Sequence, residues 1–150
     1  MASYQKLLVA IDLSSESGLV VEKARSIAGE GSELHLAYVQ EPMESVYVGI
    51  VPQSAAFSGL GSLEAELSKE IQSKMENIGA QFGIPDKQLH ILNGSPAHEI
   101  HRFVERESVD LIVIGTHGQK GLQLLLGSTA NAVLHGSSCD VLAIRIGNSG

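Results

Sequence analysis

The sequence predicts a single doubly wound α/β domain over residues 1–150, with a five-stranded parallel sheet flanked by four helices. Three observations predict it. Five short apolar runs recur along the chain: Leu7–Ile11, Leu34–Val39, Leu89–Leu92, Leu111–Ile114 and Val141–Ile146. Runs such as LLVAI and LIVI are nearly continuous rather than alternating, as in strands covered on both faces. Between them lie segments of helical spacing, and strict strand–helix alternation with helix-length connections builds a right-handed parallel sheet.

The first run, LLVAI, leads into a turn rich in serine and then a helix over Ser15–Gly29. That helix places Leu19, Val20, Ala24, Ile27 and Ala28 among charged residues, and Gly29 and Gly31 are its stop signals. The second run is followed by Glu41–Leu60, a long segment of mixed polarity carrying Pro42, Gly49, Pro52 and Gly59. Loops longer than about 12–15 residues are usually functional or mobile. The segment reads as a flexible flap, and a surface loop of no consequence fits it equally well. Apolar residues then recur over Leu63–Phe82, a helix closed by Gly83, Pro85 and Asp86. After the third run, Ser95 is the candidate N-cap and Pro96 the first residue of a helix over Pro96–Glu107. The fourth run precedes a glycine-rich segment and a short helix over Ser128–His135, and Val141–Ile146 completes the sheet. A sheet of this kind binds ligands beyond the carboxyl ends of its strands, where the strand order reverses.

The bulk numbers agree with a self-sufficient domain. A chain of 150 residues buries about 70% of its unfolded surface and needs no disulfide or metal staple. Tryptophan is absent and 4% of residues are aromatic, so aliphatic side chains must build the core. The net charge of -7 argues against a nucleic-acid partner, because phosphate neutralisation needs clustered Lys and Arg. It leaves room for a single nucleotide held by backbone N–H groups. One cysteine, Cys139, makes no internal disulfide and points to a reducing compartment. The opening MASYQKLLVAID has no pattern of a secretion signal, and no apolar run approaches the roughly 18–20 residues of a membrane span. The expected location is the cytoplasm, away from any membrane.

The strongest chemical feature begins where DLIVI ends. Gly115, Gly118 and Gly121 allow tight turns and close backbone approach, and Gly127-Ser128-Thr129 opens a helix. Free N–H groups there favour phosphate. The same spacing equally suits glycines that only make turns and a Ser128 that only caps a helix. Asp12 ends the first strand and faces the expected crevice, where its carboxylate can accept from ribose hydroxyls or base amines. Alternatively it caps the following helix with Ser14 and Ser15. His98-Glu99-Ile100-His101 superficially looks like a zinc helix, but zinc binding on a helix needs histidines four apart and these are three apart. A plain surface helix is expected there, and no metal ligands are assigned. His35, His90 and His135 have nothing nearby in sequence to make them ligands. Neither a Walker sequence nor G-x-S-x-G nor a complete G-x-G-x-x-G occurs.

KLLVAID with its serine-rich turn, NGSPAHEI, DLIVIGTHGQKG, LLLGSTANAVL and CDVLAIR occur in this order. On these five segments the chain resembles the universal stress protein family over nearly its whole length. The resemblance implies a Rossmann-like five-stranded sheet, a homodimer and, in the ATP-binding branch, a nucleotide across the switch point of the sheet. It puts Asp12 by the adenosine, with Ala10 and Ile11 bordering it and Val39 offering backbone groups to adenine. Gly115, His117 and Gly118 would line the ribose and phosphate turn, and Gly127, Ser128 and Thr129 would hold the phosphates of ATP, with Mg accompanying it. One departure stands out: eight residues separate Gly118 from Gly127, where the binding branch is described with nine.

The expected function is that of an ATP-binding regulatory or stress-response protein, a binder rather than an efficient enzyme, with no catalytic residue assigned. A dimeric interaction protein that binds no nucleotide, and has a protein partner still to be identified, is the alternative the shortened loop favours. A slow ATPase is the third, with His117 and Asp12 the available bases. The last strand, if it lies at the sheet edge, has unpaired N–H and C=O groups that a second copy would satisfy.

Overall fold

The computed structural model describes residues 4–41, 53–116 and 128–146, with no side-chain description for residues 53–64 and 128. Its elements follow the expected alternation: β1 (Lys6–Ala10), α1 (Ser17–Ile27), β2 (Glu33–Gln40), α2 (Gln53–Phe82), β3 (Leu89–Asn93), α3 (Pro96–Glu107), β4 (Leu111–Gly115), α4 (Ser128–Leu134) and β5 (Asp140–Ile144). A single 3-10 turn over Asp86–Gln88 leads into β3. The five strands form one parallel sheet in the order β3-β2-β1-β4-β5. The chain winds outward from β1 through β2 to β3, returns to the other side of β1 with β4, and ends at β5. The strand order therefore reverses between β1 and β4, where Ala10 pairs with Ile114.

The continuous apolar runs are explained by what covers each face. Leu7, Val9 and Ile11 of the first run point to one side and join Val20, Val21 and Ala24 of α1 and Met75 of α2 in one cluster. Leu8 and Ala10 point to the other side and join Ile100, Phe103 and Val104 of α3 and Ala130 and Val133 of α4. Successive strand residues alternate faces, so a strand buried on both sides must be apolar at every position. Asp110 fixes the amino end of this frame: its carboxylate accepts from the backbone N–H groups of Gln5 (2.8 Å) and Lys6 (3.0 Å).

Some boundaries and one cap differ from expectation. Helix α2 begins at Gln53, ten residues before Leu63, so residues 53–60 of the expected flap are helical. Gly59 reads as a loop signal, yet an interior helical glycine costs only about 1 kcal/mol, less than interrupting a helix and nucleating another. Residues 42–52 of that expected flap lie outside the described residues. Strand β5 ends at Ile144 rather than Ile146. The Ile146 N–H leaves the ladder and donates instead to the Thr116 hydroxyl (3.2 Å). Ser95 takes the N-cap position of α3 as expected, but its side chain makes no capping bond. The expected end of α2 holds: Gly83 adopts φ +69°, and the N–H groups of Gly83 and Ile84 return to Ala80 and Gly79 carbonyls (3.4 and 2.7 Å).

One polar pair lies inside the second cluster. His35 of β2 and His90 of β3 share a hydrogen bond, Nδ1 to Nε2, at 2.9 Å; their rings are stacked on each other, and the Phe103 ring lies tilted against that of His90. The register that pairs Ala37 with His90 puts both rings on one face. Burial, and after it the neighbouring His35, pushes the His90 imidazole below its ordinary value; Glu107 pulls it up and Arg106 pushes it down. Glu33 also faces the pair, 3.4 Å from His35 Nε2. One ring nitrogen of the shared bond must accept, and a doubly protonated pair has no acceptor. Because the unfolded chain binds the His90 proton more readily, stability holds above pH about 6.5 and falls as pH drops below it. Thermal melts at pH 7.5 and 5.5 check this: the melting temperature is expected to be lower at pH 5.5, with a smaller difference in His90→Gln. Equal differences in both proteins would refute it.

Candidate functional site: a cleft at the switch point

Beyond the carboxyl ends of β1, β2 and β4 lies a cleft of about 320 Å³. Strand β1 contributes its end and the residues after it. The Ile11 N–H donates to the Ala37 carbonyl (2.9 Å), carrying the β1–β2 pairing one residue past the strand. The chain then turns sharply at Leu13, which has φ +62°, a left-handed conformation uncommon for a bulky residue. Asp12 braces that turn. Its Oδ1 accepts from the Ser14 N–H (3.0 Å) and from the buried Ser17 hydroxyl (3.3 Å). Asp12 is not the N-cap of α1; Glu16 holds that position, without a side-chain bond. Oδ1 is thus used by the turn, and among the described residues no donor reaches Oδ2; Asp12 itself lines the cleft.

The opposite wall comes from β4 and α4. Gly115 forms the floor: an added Cβ would overlap Ile146 Cδ1 and crowd Val20. Thr116 is held in place by two bonds to the last segment, its N–H to the Ile144 carbonyl (2.9 Å) and its hydroxyl accepting from Ile146. Thr129 and Ala130 of α4 complete that wall. On the β2 side stand Val39, Tyr38 and Glu41. Burial, followed by the negative charges of Asp12 and Glu41, pushes the Tyr38 phenol above its ordinary value, so it is a neutral hydroxyl at physiological pH.

Of the ten residues expected from the sequence, the cleft brings together Ala10, Ile11, Asp12, Val39, Gly115 and Thr129. Ser128 is the first residue of α4, and its side chain is outside the description. His117, Gly118 and Gly127 lie outside the described residues. Sequence reasoning misses Tyr38, Glu41, Thr116 and Ile146. The first three lie within two residues of the ends of β2 and β4, Gln40 and Gly115, so the rule that ligands sit beyond strand ends could have found them. Nothing local marks Ile146, which arrives from β5.

The chemistry of the cleft is mixed. Ile11, Val20, Val39, Ile100 and Ile146 make apolar walls, with Asp12 and Glu41 the charged groups among the described lining residues. Apolar walls suit a planar base, and a carboxylate suits a vicinal diol. Among the described residues, no three His, Cys, Asp or Glu side chains converge as a metal site. His101 of the sequence HEIH is instead bonded to a backbone carbonyl, that of Val133.

The model of the universal stress protein family matches residues 3–145. The chain belongs to the universal stress protein family. Similar relatives of the same name cover it end to end. Universal stress protein A homolog 2 of Coxiella burnetii is 37% identical over 99% of this chain and 100% of its own. The solved structure of protein MJ0577, a universal stress protein of Methanocaldococcus jannaschii, has a TM-score of 0.76 at 28% identity, covering 97% of this chain and 99% of that one. A universal stress protein solved in complex with cAMP shares the fold, with a TM-score of 0.64 at 20% identity over 96% and 98% of the two chains. The universal stress protein fold is thus established here on both the family match and the five-stranded parallel sheet. None of the described helices is long and apolar enough to cross a membrane.

Proposed function

We propose that this universal stress protein is a stress-response regulator that binds ATP in the switch-point cleft and acts as a cytoplasmic homodimer. The observation that carries the reading is the convergence of Ala10, Ile11, Asp12, Val39, Gly115 and Thr129 on one cleft. In it, Oδ2 of Asp12 receives the ribose hydroxyls, the Val39 backbone meets adenine, and Ala10 and Ile11 border the adenosine. Thr129, with Ser128 beside it, takes the phosphates together with the segment carrying Gly115, His117, Gly118 and Gly127. Magnesium arrives with the phosphates. In this reading the protein is a binder of ATP rather than an efficient enzyme, and no residue is assigned a catalytic role. The dimer pairs β5 with its copy. That strand is an edge of the sheet, and pairing satisfies its outward N–H and C=O groups.

The test begins with purified protein, heat-denatured, and mass spectrometry of the small molecules it releases. Alongside, thermal shifts are read with Mg-ATP, AMP, cAMP and no ligand. At a hundredfold excess over its dissociation constant a ligand stabilises the fold by about 2.7 kcal/mol, a shift of about 5–10 °C for a domain of this size. Released ATP or ADP, or that shift with Mg-ATP, supports the reading. A larger shift with cAMP would replace ATP by the cyclic nucleotide. No shift with any of them would favour the nucleotide-free interaction protein. Sedimentation velocity at twice the mass of the 15.9 kDa chain checks the dimer.

A further inference from the structure

Helix α4 has seven residues, too few to be stable in water without tertiary support. Its apolar support is clear. Ala130 and Val133 are buried against Ile100, Phe103 and Val104. Apolar burial is non-directional, and a hydrogen bond adds a fixed direction and distance to it. A directed contact is found at the carboxyl end. His101 Nε2 lies 2.8 Å from the Val133 carbonyl oxygen. That oxygen only accepts, so the Nε2 nitrogen carries the proton and donates. The same oxygen accepts a long bond from the Gly136 N–H (3.4 Å), and a carbonyl has two lone pairs, so the imidazole adds the short second bond at the helix end. The site of this bond is shaped for the ring: a Cβ added at Gly136 would stand 2.6 Å from His101 Cε1 and 3.1 Å from Nδ1. Glycine at 136 is what lets the imidazole close on the helix end. His98, the other histidine of HEIH, is exposed. Thr129 lies one turn before Val133, about 6 Å along the axis, and lines the cleft.

We infer that His101 is a positioning residue, which through its bond to the Val133 carbonyl fixes the axial placement of α4 and thereby of Thr129 in the cleft wall. The inference rests on the reading that Thr129 stands at the phosphates of a bound nucleotide. Phosphate-dependent affinity then depends on a side chain that touches no ligand.

The test compares wild type with His101→Ala, His101→Asn and His101→Gln. Glutamine carries its amide nitrogen to the place of Nε2, whereas asparagine is too short to reach. Titration calorimetry with Mg-ATP and with adenosine, and amide exchange at residues 132–135 of the free protein, are read in parallel. His101→Ala and His101→Asn are expected to raise the Kd for Mg-ATP about tenfold, leave that for adenosine within about twofold, and speed exchange in α4. His101→Gln restores both. Equal losses for ATP and adenosine, an unchanged ATP Kd, or a Gln variant that behaves as Ala would each overturn the inference. Should wild type bind neither ligand, the nucleotide reading fails by itself. Unchanged exchange in His101→Ala then overturns the inference as well, and faster exchange repaired by Gln upholds the hold of His101 on α4.

Discussion

Phe103→Ala is expected to lower the melting temperature by about 6–20 °C at pH 7.5. The ring is 1% exposed and is the largest fully enclosed side chain among the described residues. Truncation of a buried Phe removes about 3–5 kcal/mol, through lost transfer energy and the cavity left behind. For a domain of this size each kcal/mol moves the midpoint by about 2–4 °C. Phe103 is also the residue on which the two sides of the second cluster meet. Its cluster joins Leu8, Ala37 and Ile112 from the sheet with Val133 from α4, and its ring centroid is 4.6 Å from that of His90. Removing it admits water to the imidazole and relieves the burial that holds His90 low. The acid loss of stability should therefore shrink along with the melting temperature. Circular dichroism melts at pH 7.5 and 5.5 measure both effects. A drop under about 2 °C would show that the cluster closes over the gap.

Asp12→Ala is expected to weaken Mg-ATP and adenosine alike, by about 10–150-fold. That range follows from the roughly 1.5–3 kcal/mol of a hydrogen bond to a charged group, at 1.4 kcal/mol per factor of ten. The equality matters, because Asp12 is assigned to the nucleoside, whereas His101→Ala should spare adenosine. The same substitution also leaves the buried Ser17 hydroxyl and the Ser14 N–H without their acceptor, so the melting temperature falls as well. Asp12→Asn keeps an oxygen for the turn but replaces the other, charged acceptor by an NH2 donor; it should fold nearly as well as wild type and bind at an intermediate level. Titration calorimetry with both ligands separates the cases. An Asp12→Ala protein with full adenosine affinity would remove Asp12 from the site and leave it the turn brace alone.

The expected cleft and the fold frame share one origin in the chain. Burial on both faces makes each strand an apolar run, and helix-length connections force parallel pairing. From these follow the sheet, the switch point and the positions just past each strand end. Asp12 and Gly115 are legible for that reason: each stands at the end of a run, where backbone leaves the ladder, whereas Val39 is named only through the family resemblance. Thr129 is legible because a Gly-Ser-Thr sequence opens a helix.

Other features depend on distances across the fold that no local pattern encodes. His35 and His90 stand 55 residues apart and meet only because β2 and β3 pair in one particular register. Ile146 reaches the cleft because β5 lies beside β4, so that Thr116 can take its N–H. His101 reads as an idle surface histidine until α4 is packed against α3 and presents a carbonyl to it. The start of α2 at Gln53 shows the opposite failure, in which glycine and proline look decisive locally and the cooperativity of a helix overrides the glycine. The sequence by itself determined the strands, three of the four helices, the family and the strand-end half of the candidate site, since periodicity and short motifs are local properties. Only the tertiary structure decided the His35–His90 pair, the Ile146 cover over Gly115 and the His101 hold on α4, because a directed contact needs two groups brought within about 3 Å, and that depends on register and packing between distant segments.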